Sequence, residues 1–290
     1  MFTGVMDKVK LFGDKIVGFK PDLYELHPGY GDHTLDIYGM VNQFHGMFQH
    51  PQRVAATPAL LRLRAKLIRE EAVEEGIPAA DNSNLEKILD AMADFLYVGI
   101  GTMVAIRGGA PMGMSIYTQD QSVGRFNETL SVTSAAIDDV KLPFYEAGKV
   151  ADELEALATK IESENLSEGA LVNELRRVLN MLYVACSMTY RLADLMDINI
   201  VELVAEVHRS NMTKLWPGDD AERAVAVDCC QYDHSDLGFR ACEGTDLRIG
   251  FRISDGKILK SPTYSEADLV GFVVTAETST IVKELLRSAL

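Results

Sequence analysis

Residues 60–75 read LLRLRAKLIREEAVEE and residues 90–98 read DAMADFLYV, so two neighbouring helical segments carry spaced acids at the margins of apolar faces. At α-helical spacing Glu70 and Glu74 stand four apart and Glu71 and Glu74 three apart, which projects all three from overlapping faces. Asp90 and Asp94 repeat the four-residue step on the second segment. Leu67, Ile68 and Val73 flank the first set, and Leu89, Met92, Phe95 and Leu96 crowd the second, unlike a purely solvated charged face. Carboxylates gathered in such a groove repel one another by on the order of several kcal/mol unless a cation neutralises them. Hard oxygen donors without an adjacent His or Cys select Mg²⁺, with Mn²⁺ as the alternative, over zinc.

The rest of the composition narrows the function classes. A chain of 290 residues, 47% hydrophobic, buries a sizeable core as one large domain or two small ones. A formal charge of −15 argues against nucleic-acid polymers and anionic membrane surfaces, both of which want a basic footprint; a small anion can still bind through a metal. No run of 18 uncharged apolar residues occurs, and MFTGVMDKVKLFGDK lacks the basic-then-apolar order of a signal peptide, so a cytoplasmic protein is expected. Cys186, Cys229, Cys230 and Cys242 are too irregularly spaced for a disulfide framework. Cys229, Cys230, His234 and Cys242 together make a poor zinc knuckle because two of the cysteines are adjacent, so reduced thiols are expected.

Residues 1–33, with Gly, Pro and His in PDLYELHPGYGDH, read as an irregular arm. An apolar stripe of Leu35, Tyr38, Val41, Phe44, Met47 and Phe48 predicts a helix from Thr34 to Gln49. Thr57 before Pro58 opens the helix that carries the first acids, with a stop near Gly76-Ile77-Pro78. Ser83 and Glu86 have capping-box spacing ahead of the second acidic helix, which ends near Gly108-Gly109. Helical patterns follow at 127–139, 143–164, 168–196 and 199–214, the last capped by Asn199. Two alternating runs around Asp255-Gly256 within 246–260 predict a β-hairpin, and 265–289 one more helix or two short ones.

LYVGIGTMVAI (96–106) and LYVACSMTYRL (182–192) share an opening and a pattern, which suggests a duplicated helical unit. The copies are unequal. At the same offset Asp94 corresponds to Asn180 and Asp90 to Arg176, while VADELEALATKI keeps Glu153 but has Ala156 where a second glutamate is wanted. A second half so depleted cannot hold metal as the first does.

Three stretches in order, RLRAKLIREEAVEE (62–75), DAMADFLYVGIGTMVAI (90–106), and EVHRSNMTKL (206–215) with DGKILKSPTYSEADL (255–269), resemble the all-α nucleoside triphosphate pyrophosphohydrolases. That superfamily includes the MazG proteins and phosphoribosyl-ATP pyrophosphohydrolase, and the tail is most similar to MazG-like members of phages. The resemblance implies a mainly α fold: an internally duplicated helical bundle with a small C-terminal β-hairpin. The arm would span 1–33, the metal-binding half 34–110, the degenerate half 125–215, and a hairpin and tail packed on the bundle 216–290. It implies Mg²⁺-dependent conversion of (d)NTP to (d)NMP and pyrophosphate, with a dGTP preference and a nucleotide-pool role in some phage relatives, which would place the protein in host cytoplasm. Phosphoribosyl-ATP hydrolysis and a catalytically weak nucleotide-binding regulator are the alternatives.

Carried over by position, Glu71 and Glu74 are the firmest metal ligands, Glu70 a partner, and Asp94 the terminal aspartate. Ala91 stands where MazG proteins place a glutamate, and Asp90, on the same helical face as Asp94, is the substitute. Glu70 or Glu74 is the candidate base. Lys66, with Arg62 or Arg69 as alternatives, would clamp phosphates; Arg209 and Lys214 are further phosphate candidates, Asn211 a reader of the base edge, and Lys257, Lys260 and Tyr264 lie on or after the hairpin. Phe44, His45 and Phe48 either line a nucleobase slot or belong to the core. The expected partner is a nucleotide, and a homodimer through exposed helix faces is compatible with the duplicated plan.

Overall fold

The computed structural model describes residues 33–106, 136–164 and 166–288. The N-terminal arm, the Gly- and Pro-containing connector, the expected helix end at Gly108-Gly109 and most of the helix expected at 127–139 lie outside them. The described chain is mainly α-helical with a two-stranded antiparallel sheet. It divides into a larger unit (residues 32–42, 51–205 and 268–290) and a smaller one that includes 43–50 and 206–267. The C-terminal region expected to stay together at 216–290 is therefore shared between them. Helix α1 (His33–Met47) contributes its start to the larger unit and its end to the smaller.

In the larger unit the helix starts follow from local chemistry. Thr57 sits in the extended region and accepts the Leu60 N–H at 3.2 Å, and Pro58 fills the first position of α2 (Pro58–Ile68), where a missing N–H costs nothing. The expected stop at Gly76-Ile77-Pro78 does not occur. The chain runs on through a π-helical turn, Arg69–Gly76, into α3 (Ile77–Asp81), with the Ile77 N–H reaching the Ala72 carbonyl five residues back. Pro78 explains the widening: its ring would crowd the Glu74 carbonyl in a regular α-helix, and a π-turn relieves that clash.

The cap of α4 (Leu85–Ala105) is Asn84, which accepts the Lys87 N–H at 3.1 Å, one residue later than the capping-box spacing predicts. Ser83 instead takes the left-handed φ of 50° that turns the chain out of α3. Helix α5 runs unbroken from Ala136 to Ser163 through Pro143, merging two helices the sequence reads as separate. Ser167 caps α6 (Glu168–Leu195), and Asn199, as expected, accepts the Val201 and Glu202 amides at the start of α7 (Ile200–Met212).

Helix α2 packs on α5, α5 on α6, and α4 on both α6 and the π-turn. Leu61, Ile68, Ile88, Leu89, Met92, Phe95, Leu96 and Phe144 are wholly shielded between them, each such burial contributing about 1.5–3 kcal/mol. Helix α4 is long and apolar enough to cross a membrane by composition, but its most apolar stretch is 83% buried inside the protein, as in a core helix. The two copies of the Leu-Tyr-Val pattern meet directly. A Cβ on Gly99 would lie 3.1 Å from Cys186 Sγ and 3.4 Å from Leu182 Cδ1, so the glycine lets α4 and α6 approach closely.

The smaller unit is organised around Trp216, which is fully buried and exchanges both backbone hydrogen bonds with Arg248. Strand β1 (Leu237–Ala241) pairs antiparallel with β2 (Arg248–Arg252), Phe239 opposite Gly250. This differs from the hairpin read around Asp255-Gly256. That turn exists, with Gly256 at φ 74°, but it returns the chain to β2 only through the single bridge between Phe251 and Ile258. The main partner, LGFRA, is too short to show alternation. Phe48, Met212, Leu215, Cys242 and Ile249 form the core, with Phe44 packed against it, and helix α8 (Asp220–Asp228) is capped by Asp219. All four cysteines are free thiols.

In the larger unit, α9 (Val270–Ala276) packs on α4 and α10 (Thr280–Ser288) on α5, the two short helices allowed for 265–289.

Candidate active site

The first acids lie on the π-turn, not on an α-helix, and this changes their spacing. An i→i+5 turn takes more residues than the roughly 3.6 of an α-helix, so pairs three apart fan out and pairs four or five apart realign. Glu70 and Glu71 are half-buried, whereas Glu74 is exposed, and the turn that carries them has π-helical rather than the expected α-helical spacing. The π-turn packs on α4, which carries Asp90 and Asp94, both half-buried. Exposed lysines currently hold two of the acids: Lys66 Nζ lies 3.5 Å from Glu70 and Lys87 Nζ 3.2 Å from Asp90. The hydrogen bond to Asp90 holds the Lys87 ammonium above its ordinary value.

The donor set is oxygen-only, which fits Mg²⁺ or Mn²⁺. Among the described residues, however, no three His, Cys, Asp or Glu side chains are gathered closely enough to hold a metal ion. Glu70 and Asp90 would have to leave their lysines to close on one, and exposed pairs of this kind are weak, about 0–1 kcal/mol.

The basic residues of α2 and the π-turn are mostly committed to the neighbouring helix. Arg62 binds Glu155 and, through two 2.6 Å hydrogen bonds, Glu162; Arg69 pairs with Asp152 at 2.8 Å. The Glu162 hydrogen bonds raise the Arg62 pKa above its ordinary value. Both arginines therefore tie α2 and the π-turn to α5 rather than standing open for phosphate. Arg64 is the residue the sequence reading passed over. It is buried between α2 and α4, donating to Thr102 Oγ1 and to the Val98 carbonyl. Its alternation with Arg62 and Lys66 in RLRAK disguises it as part of a solvated charged run.

The second set of candidates lies in the smaller unit, where the structure joins the two tail motifs. Ser210 donates to the Tyr264 hydroxyl at 2.9 Å, and the Ser265 amide donates to Thr213 Oγ1 at 2.9 Å. Arg209 is held bidentately by Glu206 and donates to the Glu266 carbonyl, while Asn211 is buried. Lys214 is half-buried at the helix end, and Lys260 Nζ sits 4.1 Å above the Tyr264 ring. His208 is 2% exposed beside Gln43 Oε1, and burial pushes its pKa down to about 4. His45 is buried, Phe44 stacks on His50 at 5.4 Å, and Phe48 belongs to the core of this unit.

Residues 41–107, which include the π-turn acids and those of α4, match the family model for phosphoribosyl-ATP pyrophosphohydrolase. This stretch is a phosphoribosyl-ATP pyrophosphohydrolase domain of the MazG-like superfamily. The pyrophosphohydrolase domain covers both acid-bearing segments and ends just after α4, leaving α5 and α6 outside the match. Over a longer span the chain is similar to an uncharacterized protein of Acanthamoeba polyphaga mimivirus, 27% identical over 252 residues, covering 77% of this chain and 90% of that one. No solved structure matches the chain.

Proposed function

We propose that the protein is a divalent-metal-dependent nucleoside triphosphate pyrophosphohydrolase that converts (d)NTP to (d)NMP and pyrophosphate. The observation that carries this reading is the position of the acids. The pyrophosphohydrolase domain match spans Glu70, Glu71, Glu74, Asp90 and Asp94, and these residues stand on two segments packed against each other. Glu71, Glu74 and Asp94, with Glu70 and Asp90, would hold Mg²⁺. Bound there, Mg²⁺ neutralises phosphate oxygens and acidifies water. Glu74, the exposed acid, is open to solvent and suited to take the proton of an attacking water, with Glu70 as its alternate. Lys66, exposed at the lip of the acid set, is suited to meet a phosphate once Glu70 turns to metal. Arg209, Asn211, Lys214, Lys260 and Tyr264 are the substrate-binding candidates of the smaller unit, where hydrogen bonds from Ser210 to Tyr264 and from Ser265 to Thr213 join their two motifs.

A second reading, phosphoribosyl-ATP hydrolysis, is favoured by the description of the matched family itself. In the first reading the enzyme adjusts a nucleotide pool, dGTP being the candidate preferred substrate. Pyrophosphate release from the eight standard NTPs and dNTPs and from phosphoribosyl-ATP, with Mg²⁺, Mn²⁺ or EDTA, separates the two. Metal-dependent release from dNTPs supports the first, and release from phosphoribosyl-ATP alone the second. Nucleotide binding without turnover would make the protein a regulator.

A further inference from the structure

On α2 and the π-turn, Arg62, Lys66 and Arg69 each face a carboxylate, but Arg64 does not. It is 7% exposed. Its Nε donates to Thr102 Oγ1 at 3.0 Å and its Nη2 to the Val98 carbonyl, an oxygen that also accepts the Thr102 hydroxyl. All of these acceptors are neutral. Burial lowers the guanidinium pKa to about 10, which leaves it protonated at neutral pH. A whole positive charge therefore lies between two helices with no counter-ion among the described residues, in a chain whose formal charge is −15. Holding α2 against α4 does not require this. An apolar side chain of similar volume would do so without desolvating a charge.

The remaining nitrogen, Nη1, makes no hydrogen bond among the described residues and is not fully sealed from solvent. Its place along the helices is informative. Arg64 stands seven residues before Glu71 on the continuous chain of α2 and the π-turn, and Val98 and Thr102 stand one and two turns beyond Asp94 on α4. Arg64 thus lies about two helical turns, ~10 Å, from Glu71 and one to two turns past Asp94 along the same helix pair, a separation comparable with the length of an extended triphosphate chain. Guanidinium suits phosphate oxygens because its planar fork donates in parallel.

We propose that Arg64 is the anion receptor of the site, taking an oxygen of the substrate's phosphate chain through its unengaged Nη1. This rests on the pyrophosphohydrolase reading. The test is the affinity of inorganic triphosphate, with Mg²⁺, for the whole protein and for Arg64→Met, Arg64→Gln and Arg64→Lys, measured by calorimetry beside thermal melts. A folded neutral variant is expected to bind at least about tenfold more weakly, and the lysine variant less severely, since it keeps the charge but loses the fork. A purely structural arginine predicts lower melting temperatures with unchanged affinity, which overturns the proposal, as does a wild type that does not bind triphosphate. Should both neutral variants fail to fold, Arg64→Lys decides: several-fold weaker binding supports the receptor, and unchanged affinity removes it. Pyrophosphate release by the same proteins separates the two failures. Wild-type hydrolysis with Arg64-independent binding sinks the receptor alone, whereas Arg64-dependent binding without hydrolysis of any nucleotide sinks the enzyme reading alone.

Discussion

Gly76 lies directly against the ring of Phe144: a Cβ built on the glycine would be 2.7 Å from Cδ1 and 2.8 Å from two further ring carbons. Phe144 is wholly buried, and four residues along α5 Gly148 receives Val73 Cγ2 at a distance of 3.0 Å from its own would-be Cβ. The π-turn and α5 therefore exchange side chain for glycine at two consecutive points.

Gly76→Ala is expected to destabilise the protein by about 1–2 kcal/mol, because overpacking outweighs the helix propensity gained. Phe144→Ala alone should cost about 3–5 kcal/mol. The double variant should be less destabilised than the sum, since the added methyl enters the space the ring leaves; chemical denaturation of the four proteins measures this coupling. Strict additivity would show that the two residues do not share that space.

Glu74→Gln should lower pyrophosphate release at least about 100-fold while changing stability by no more than about 0.5 kcal/mol, because the residue is exposed. Arg176→Ala and Asn180→Ala, exposed on α6 at the positions that the Leu-Tyr-Val similarity aligns with Asp90 and Asp94, should leave release within about threefold of wild type. Abolished release in either α6 variant would make the second copy part of the catalytic site.

Gly250→Ala should open the smaller unit. Its Cβ would lie 2.2 Å from Trp216 Nε1, whose N–H is committed to the Leu259 carbonyl at 3.0 Å. The expected loss is about 3 kcal/mol. Trp216 is the chain's single tryptophan, so its fluorescence reports this unit without interference. A shift of its emission toward the solvent-exposed wavelength is expected, and an unchanged spectrum would contradict the packing.

Acid should weaken the smaller unit through His208. Its folded pKa, pushed to about 4 by burial, lies below the ordinary 6.5, so the unfolded state takes up the proton first as pH falls. The resulting loss of stability begins near pH 6.5, grows to roughly 3 kcal/mol, and levels off below about pH 4. The difference in stability between the wild type and His208→Gln, followed across that window, isolates the effect; a pH-independent difference would mean that His208 is not held neutral.

The helical plan and several of its boundaries were legible because their signals are local. Thr57-Pro58 and Asn199 act through amides two or three residues away, and the apolar stripes need only their own periodicity. The π-turn was not legible, since Pro78 reads as a terminator unless neighbouring packing keeps the helix going beyond it. Strand β1 escaped because five residues of LGFRA gain their identity from β2 and Trp216, not from alternation. Arg64 escaped for a related reason: a sequence shows charge but not which charge is shielded. The oxygen-donor character of the acid set was plain, but its distribution over faces depends on the turn that carries it.

An extended helical turn also acts as a gear. Shortening Arg69–Gly76 by one residue would restore ordinary winding without displacing α2 or α3 from their ends, yet would swing the glutamates around the axis by roughly a quarter turn. A single insertion or deletion there would thus re-aim the acids and leave the surrounding bundle unaltered.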